Sequence, residues 1–360
     1  MILGIEAKEF GKKEKTGVDV FLENLVLAIA KIDTKDQVVL YSERRISLSL
    51  PQNFKLKKIR FPFMWRFLGL SFYFLFFKKP DILLFPAQVV PFFYPAKKAV
   101  VIHDLAFLKF PQTFTLKDRL RLTFLTWWAA KRADVIIVPS VSTKKDIVKI
   151  WSKNSKKIFV VPHGFDKKLF YPRSPAEVQK VLKKYQIQKP YLLFVGSLQP
   201  RKNVIRLVLA FERLKKEGLP HKLVIIGGKG WLSEKIVKKI KNSQFSKEIF
   251  WLGYVKNSDL PFFYSGADLF VLPSLYEGFG LPILEASACK TAVVASNVSS
   301  MPEILKESAL YFNPRSVLDI ARTIKRALSQ KEILAQKAYQ KAQNFSWVKS
   351  AQKILKILKK

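Results

Sequence analysis

The chain of 360 residues has little with which to build a disulfide or a metal centre. Cys289 is the only cysteine, and the three histidines have no second His or Cys at ligand spacing. A disulfide-stapled fold and a structural zinc site are therefore not expected. Acids are scarce as well, with 27 Asp and Glu against 64 Lys and Arg, a formal net charge of +37. No apolar run reaches the roughly 20 residues that cross a bilayer. The longest, "FPFMWRFLGLSFYFLFF" at residues 61–77, contains Pro62, Arg66 and Gly69 and stops at Lys78, Lys79 and Pro80. The start "MILGIE" lacks the basic opening and apolar stretch of an export signal, which leads us to expect a cytoplasmic protein. There is no short tandem repeat and no low-complexity segment.

What remains is a globular composition, 49% hydrophobic, on a chain long enough for two ordinary domains. The charge calls for a polyanion or an anionic surface, unless it is only the solvated face of a lysine-rich protein. Nucleic acid is not the expected partner, because neither zinc-finger spacing nor an RNA-recognition signature is present. Basic pairs at Lys57-Lys58, Lys78-Lys79 and Lys97-Lys98 surround the aromatic segment. That segment reads either as a buried helix of the first domain or as an aromatic face lying on anionic lipid, where each basic residue adds ~1 kcal/mol.

Short apolar runs recur at residues 2–5, 38–41, 55–59, 82–85, 100–102, 135–138 and 158–161. A second series lies at 191–195, 223–226, 249–252, 269–272, 292–295 and 309–312. Helix-length amphipathic segments separate them. Continuous apolar strands alternating with helices mark parallel sheets covered on both faces, so two series predict two doubly wound α/β domains. The expected boundaries are 1–165 for the first domain and 166–345 for the second. A last helix at 346–360 shows one apolar stripe through Ile354, Ile357 and Leu358, with Lys353, Lys356 and Lys360 outside it, and is expected to pack back on the first domain.

Ligands of open parallel sheets bind beyond the carboxyl ends of the strands, and two domains facing each other across those ends make a cleft. The loops after the strands are therefore the place to look. After residues 269–272 comes "PSLYEGFGLPILEA". Gly278 and Gly280 permit close backbone approach, Pro282 suits a first helical turn, and the amides of Phe279, Gly280 and Leu281 make an anion seat suited to a diphosphate. Glu277 stands on its rim, and Glu285, one turn into the helix, is placed to accept from a pair of ribose hydroxyls. After 191–195 comes "GSLQPRKN", where Gly196 precedes Arg201 and Lys202, a guanidinium fork and an ammonium able to neutralise phosphate oxygens. After 100–102 comes His103, able to bond a substrate hydroxyl or to share a proton, although a satisfied structural histidine is the commoner case. The first strand leads to "KEFGKKEKTGVDV", in which Lys12, Lys13 and Lys15 precede Gly17 at a helix start. As a phosphate signature it is weak, because GxGxxG is absent.

Taken together these residues resemble the retaining glycosyltransferases of family 4, whose two Rossmann-like domains face across a cleft in the arrangement called GT-B. The marker is Glu, seven residues, Glu, matched by Glu277 and Glu285 around "GFGLPIL". The order of the other motifs agrees along nearly the whole chain: "TGVDVFLENL", "VIHDLAF", "VVPHGFD", "FVGSLQPRKN", "LGYV" and "NVSSMPEI". The resemblance implies a metal-independent enzyme without a cofactor, using a nucleotide-sugar donor, GDP-mannose or a UDP-sugar, and a glycan or lipid-linked acceptor. Arg201 and Lys202 would hold the diphosphate and Glu285 the ribose. Gly253, Tyr254 and Val255 would meet the base through their main chain, Glu277 and the amides near Phe279 and Gly280 would position the sugar, and His103 would lie near sugar and acceptor. Two positions depart from the family pattern: Asp19 stands near where a second glycine is usual, and Lys290 replaces a small turn residue in "ACK". A basic nucleic-acid binder on an inactive scaffold is the alternative, and a related epimerase or phosphorylase a narrower one.

Overall fold

The structure, a computed structural model, describes residues 1–11, 16–32, 35–44, 50–61, 64–151 and 155–359. Lys12, Lys13, Lys15, Pro62 and Lys360, named above, lie outside the described residues. Contacts divide the chain into two compact units, one of residues 1–108, 116–164 and 346–360, the other of 109–115 and 165–345.

The first unit carries a sheet of β1 (Ile2–Glu6), β2 (Gln37–Ser42), β3 (Phe54–Lys58), β4 (Ile82–Phe85), β5 (Lys97–Val101), β6 (Val135–Val138) and β7 (Ile158–Val160). All neighbours are parallel, in the order β3-β2-β1-β4-β5-β6-β7. The central strands are buried along their length because helices cover both faces; β4 has no exposed residue. Edge strand β3 differs: only Phe54 is buried, and Lys55, Lys57 and Lys58 are exposed, the charge that keeps a free edge from pairing with another chain. The helix Trp347–Leu358 packs on the helix Gly17–Lys31 within this unit, and Ser350 Oγ donates to the carbonyl of Pro162 at 2.6 Å.

The second unit carries β8 (Tyr191–Val195), β9 (Lys222–Ile226), β10 (Ile249–Gly253), β11 (Leu269–Leu272), β12 (Val293–Ser296) and β13 (Leu310–Phe312). They are again all parallel, in the order β10-β9-β8-β11-β12-β13. Every apolar run singled out in the sequence is a strand, and the ends differ by three residues at most. Both sheets are doubly wound, as GT-B requires.

The segment 61–77 is neither wholly buried nor spanning. After a π-helical turn at Trp65–Gly69, the helix Leu70–Phe76 buries Leu70 and Phe74 but exposes Phe72, Leu75 and Phe76. Among the described residues no helix is long and apolar enough to cross a membrane.

Candidate active site

In the second sheet the strand order reverses between β8 and β11, the topological switch point at which loops diverge and leave room for a ligand. The loops after these two strands are the two that carry "GSLQPRKN" and "PSLYEGFG". Main-chain and side-chain bonds lash them together: Leu275 N donates to the carbonyl of Arg201 at 2.8 Å. Asn203, in the left-handed conformation that asparagine tolerates (φ 60°), donates through Nδ2 to the carbonyls of Pro273 and Pro314 at 2.9 and 2.7 Å.

This lashing brings Arg201, Lys202 and Glu277 into contact. Arg201 Nη1 lies 3.0 Å from Glu277 Oε2, Lys202 Nζ lies 2.6 Å from Oε1, and Ser274 Oγ donates to Oε1 at 2.6 Å. Glu277 is therefore not on a rim facing outward: it is 7% exposed, and it counters two half-buried or buried cations. Burial pushes its carboxyl up, but Lys202 and Arg201 beside it, with the bonds from Lys202 and Ser274, more than offset that and hold it at about 2. Its main-chain N donates to Ser299 Oγ at 3.0 Å, and Ser300 Oγ is within bonding reach of the carbonyls of Glu277 and Phe279 at 2.9 and 2.8 Å. The loop after β12 thus fixes the Glu277–Gly280 turn from behind.

Gly280 is the N-cap of the helix Leu281–Ala288 with φ 103°, a conformation that needs glycine, and Pro282 sits in the first turn. Gly278, Phe279 and Gly280 are buried and Leu281 is half-buried. Glu285 is one turn in. Tyr264 Oη donates to its Oε2 at 2.8 Å, and Tyr264 is itself fully buried. Burial raises the Glu285 carboxyl to about 7, and the Tyr264 bond works against the rise. The two glutamates of the motif stand in opposite electrostatic conditions: one is paired with cations and ionised, the other meets no cation at ion-pair distance among the described residues and is raised to about 7 by burial.

Around them, a Cβ on Gly196 would stand 3.2 Å from Phe194 and 3.7 Å from Lys202 Cε, so the absent side chain leaves the lysine its path. Gly227, after β9, was not singled out by sequence reasoning. Its Cβ would meet the Gly196 carbonyl oxygen at 2.1 Å, which makes it the residue that lets the β8 and β9 loops approach; "IIGGKG" at a strand end was the available signal. Gly227 N donates to the Gly253 carbonyl at 2.7 Å, at the end of β10, where Tyr254 is exposed and Val255 buried.

His103 and Gly17 belong to the first unit. His103 Nε2 is 2.7 Å from the Pro86 carbonyl, and since that oxygen only accepts, Nε2 carries the proton. Burial lowers the histidine's pKa against the opposing pull of that bond, so the ring is neutral with its lone pair on Nδ1. It packs edge-on against Phe21 of the helix Gly17–Lys31. Gly17 opens that helix and has open space where a Cβ would be. The unusual Asp19 is accounted for: its carboxylate accepts from Thr16 N at 2.7 Å and Thr16 Oγ1 at 2.8 Å, turned onto the helix start.

A model of the family described as "Glycosyl transferases group 1" matches residues 177–345, which include every one of these second-unit residues. The O-antigen chain mannosyltransferase B of Escherichia coli is 33% identical over 257 residues, 70% of this chain and 67% of that protein. The chain belongs to the group 1 glycosyl transferases. A serotype-specific mannosyltransferase of the same organism, WbdA, is 29% identical over 274 residues; the match takes in 74% of this transferase and only 33% of that much longer protein. HepE of Anabaena, solved in complex with UDP and glucose, superposes with a TM-score of 0.76 over 99% of both chains at 17% identity, a likeness of fold. The transferase is thus a GT-B glycosyltransferase.

In this transferase the sequence singles out Arg201, Lys202, Glu277 and Glu285 as candidates but not the residues that hold them. Ser299, Ser300 and Tyr264 reach these residues from loops and a helix more than 20 positions away, and Ser274 stands three residues before Glu277 in the same loop. Also unforeseen is the segment 109–115, which sits in the first half of the chain yet clusters with the second unit, where Thr113 accepts from Trp231 Nε1 at 2.6 Å.

Proposed function

We propose that the enzyme moves a hexose, mannose in particular, from a nucleoside diphosphate sugar to a glycan or lipid-linked acceptor in the synthesis of a cell-surface polysaccharide, with retention at the anomeric carbon. The observation that carries the reading is the Arg201–Lys202–Glu277 cluster at the switch point of the second sheet. Two mannosyltransferase relatives support the choice of sugar, and HepE with UDP supports the class of donor. GDP-mannose is the donor we favour.

Cleavage of the C1–O bond sends its electron pair to the diphosphate while the sugar ring gains positive charge. In our reading Arg201 and Lys202 meet the departing phosphate oxygens, and Glu277 holds the two cations ready until the diphosphate arrives. The acceptor oxygen bonds C1 on the face the phosphate leaves, and its proton passes to a phosphate oxygen. Removing one such electrostatic donor typically lowers the rate by ~10² to 10³. Glu285 receives the ribose hydroxyls, the main chain at Gly253, Tyr254 and Val255 meets the base, the amides near Phe279 and Gly280 face the sugar, and His103 serves the acceptor. The acceptor is met at the inner face of an anionic membrane, to which the enzyme attaches peripherally.

Turnover is measured with GDP-mannose and UDP-glucose, and binding of GDP, UDP, ADP and a short single-stranded DNA by titration, for the wild type, Lys202→Ala, Glu277→Gln and Glu285→Ala. We expect one nucleotide to bind the wild type and to fail with Glu285→Ala, and Lys202→Ala and Glu277→Gln to lose turnover with the fold intact. Full activity in both would sink the site assignment. Binding of DNA alone would make the basic surface the function.

A further inference from the structure

Nine large hydrophobic side chains stand exposed within residues 72–127, whereas the whole second unit exposes five, scattered from Tyr171 to Ile333. Their spacing in the first unit is ordered. On the helix Leu116–Arg132, Leu116, Leu120, Phe124 and Trp127 are 64, 57, 51 and 37% exposed, a spacing of four, four and three that lays them along one stripe, while Thr126, Ala129 and Ala130 face the core. On the helix Leu70–Phe76, exposed Phe72, Leu75 and Phe76 recur at three and one, and Phe77 follows just beyond the helix. Exposed Phe93 lies on the loop after β4.

These are parts of one surface. Phe92 stacks on Phe67 with ring centres 5.0 Å apart and meets Trp128 edge-on at 5.9 Å, which joins the 65–77 segment to the helix Leu116–Arg132. An open cavity of about 310 Å³ is lined by Leu75, Phe93, Lys98 and Arg132 among others.

The charge at this surface selects its occupant. The helix Leu116–Arg132 has five bases, Lys117, Arg119, Arg121, Lys131 and Arg132, against the one acid Asp118. Lys131 Nζ stands 5.1 Å over the Trp127 ring and the Arg132 guanidinium 4.8 Å over Trp128. Exposed Lys78 and Lys79 follow Phe77. A second copy of the chain would set cations against cations, and a nucleic acid would leave Leu116 and Leu120 exposed to water without a role. An apolar stripe edged by lysine and arginine fits a bilayer, with the apolar side chains at the acyl boundary and the cations among anionic headgroups.

We propose that the first unit docks on anionic lipid through the Leu116–Leu120–Phe124–Trp127 stripe together with Phe76, Phe77 and Phe93. The inference rests on the membrane placement proposed above and gives it a defined surface, independent of donor chemistry in the other unit.

The test is flotation of the full chain with vesicles of phosphatidylcholine containing phosphatidylglycerol, and with phosphatidylcholine alone. We compare the wild type with Leu120→Glu/Phe124→Glu and Phe76→Glu/Phe93→Glu, check by hydrogen exchange that β1, β4 and β5 of the first unit keep their protection in each variant, and titrate GDP and UDP to confirm that the other unit is unaffected. The expected result is wild-type flotation with the anionic vesicles only, about a tenfold or greater loss of affinity in each variant, and unchanged nucleotide binding. Quenching of tryptophan emission by brominated lipid that disappears in Trp127→Phe is the matching signal in the otherwise native protein. Failure of the wild type to float overturns both the surface and the membrane placement. Flotation of the variants equal to the wild type, with no quenching at Trp127, overturns the surface and leaves the placement standing. Loss of single-stranded DNA binding in the same variants, without vesicle binding, would assign the patch to nucleic acid.

Discussion

Glu277 and Glu285 are eight positions apart and respond to pH in opposite ways. Glu277 is held at about 2, below its ordinary 4.5, so the stability from its pairing with Lys202 and Arg201 is present above about 4.5 and is lost as pH falls through about 2. Glu285 is raised to about 7, so its contribution favours the fold below about 4.5 and declines as pH rises through about 7. If Glu285 receives ribose hydroxyls, its ionised form is the better acceptor and nucleotide affinity should climb with pH through about 7. Tyr264 donates to that carboxylate, so Tyr264→Phe should move the midpoint of the climb upward. Calorimetric titration between pH 5.5 and 8.5 measures it. A midpoint unmoved or lowered would show that Tyr264 does not set the ionisation of Glu285. The carboxylates themselves were legible in the sequence, as a motif around two glycines and a proline. Their environments were not, because Tyr264, 21 positions from Glu285, and Arg201 and Lys202, 76 and 75 positions from Glu277, reach them through folding rather than spacing.

Between elements, the site depends on how closely the loops after β8, β9 and β11 approach. Gly227 has φ 143°, and a methyl group there would overlap the Gly196 carbonyl oxygen, which is main chain and cannot step aside like a flexible side chain. Gly227→Ala should cost about 2 kcal/mol or more in urea unfolding and displace the loop that carries Lys202. A variant as stable as the wild type with unaltered nucleotide affinity would show that the two loops need not touch. The strands were readable because buried parallel strands are continuous apolar runs with polar breaks. The faces of the helices were less so. "FPFMWRFLGLSFYFLFF" is apolar all round, so no periodicity in it distinguishes Phe74, buried, from Phe76, 80% exposed.

At the scale of the whole molecule the chain returns to its first unit at the end. The helix Trp347–Leu358 buries Trp347, Ala351, Ile354, Leu355, Ile357 and Leu358, and each large side chain of that set contributes about 1.5–3 kcal/mol when fully buried. Deleting residues 346–360 should therefore speed amide exchange in the helix Gly17–Lys31 and in β1, while β8, β9 and β11 keep their protection. Hydrogen exchange read by mass spectrometry would detect this, and equal loss of protection in both sheets would mean that the two units unfold as one. Alone, the sequence determined the strands, the class of fold and the four charged residues of the candidate site, because each is written in local pattern: apolar runs, glycine and proline at turns, adjacent bases, two carboxylates eight positions apart around a glycine-rich turn. The tertiary structure decided which strands lie side by side. Only the order β10-β9-β8-β11-β12-β13 puts the loops after β8 and β11 together and brings Arg201 against Glu277, 76 residues away in sequence. Pairing at that separation is fixed by the packing of both sheet faces, which no local pattern within either loop encodes.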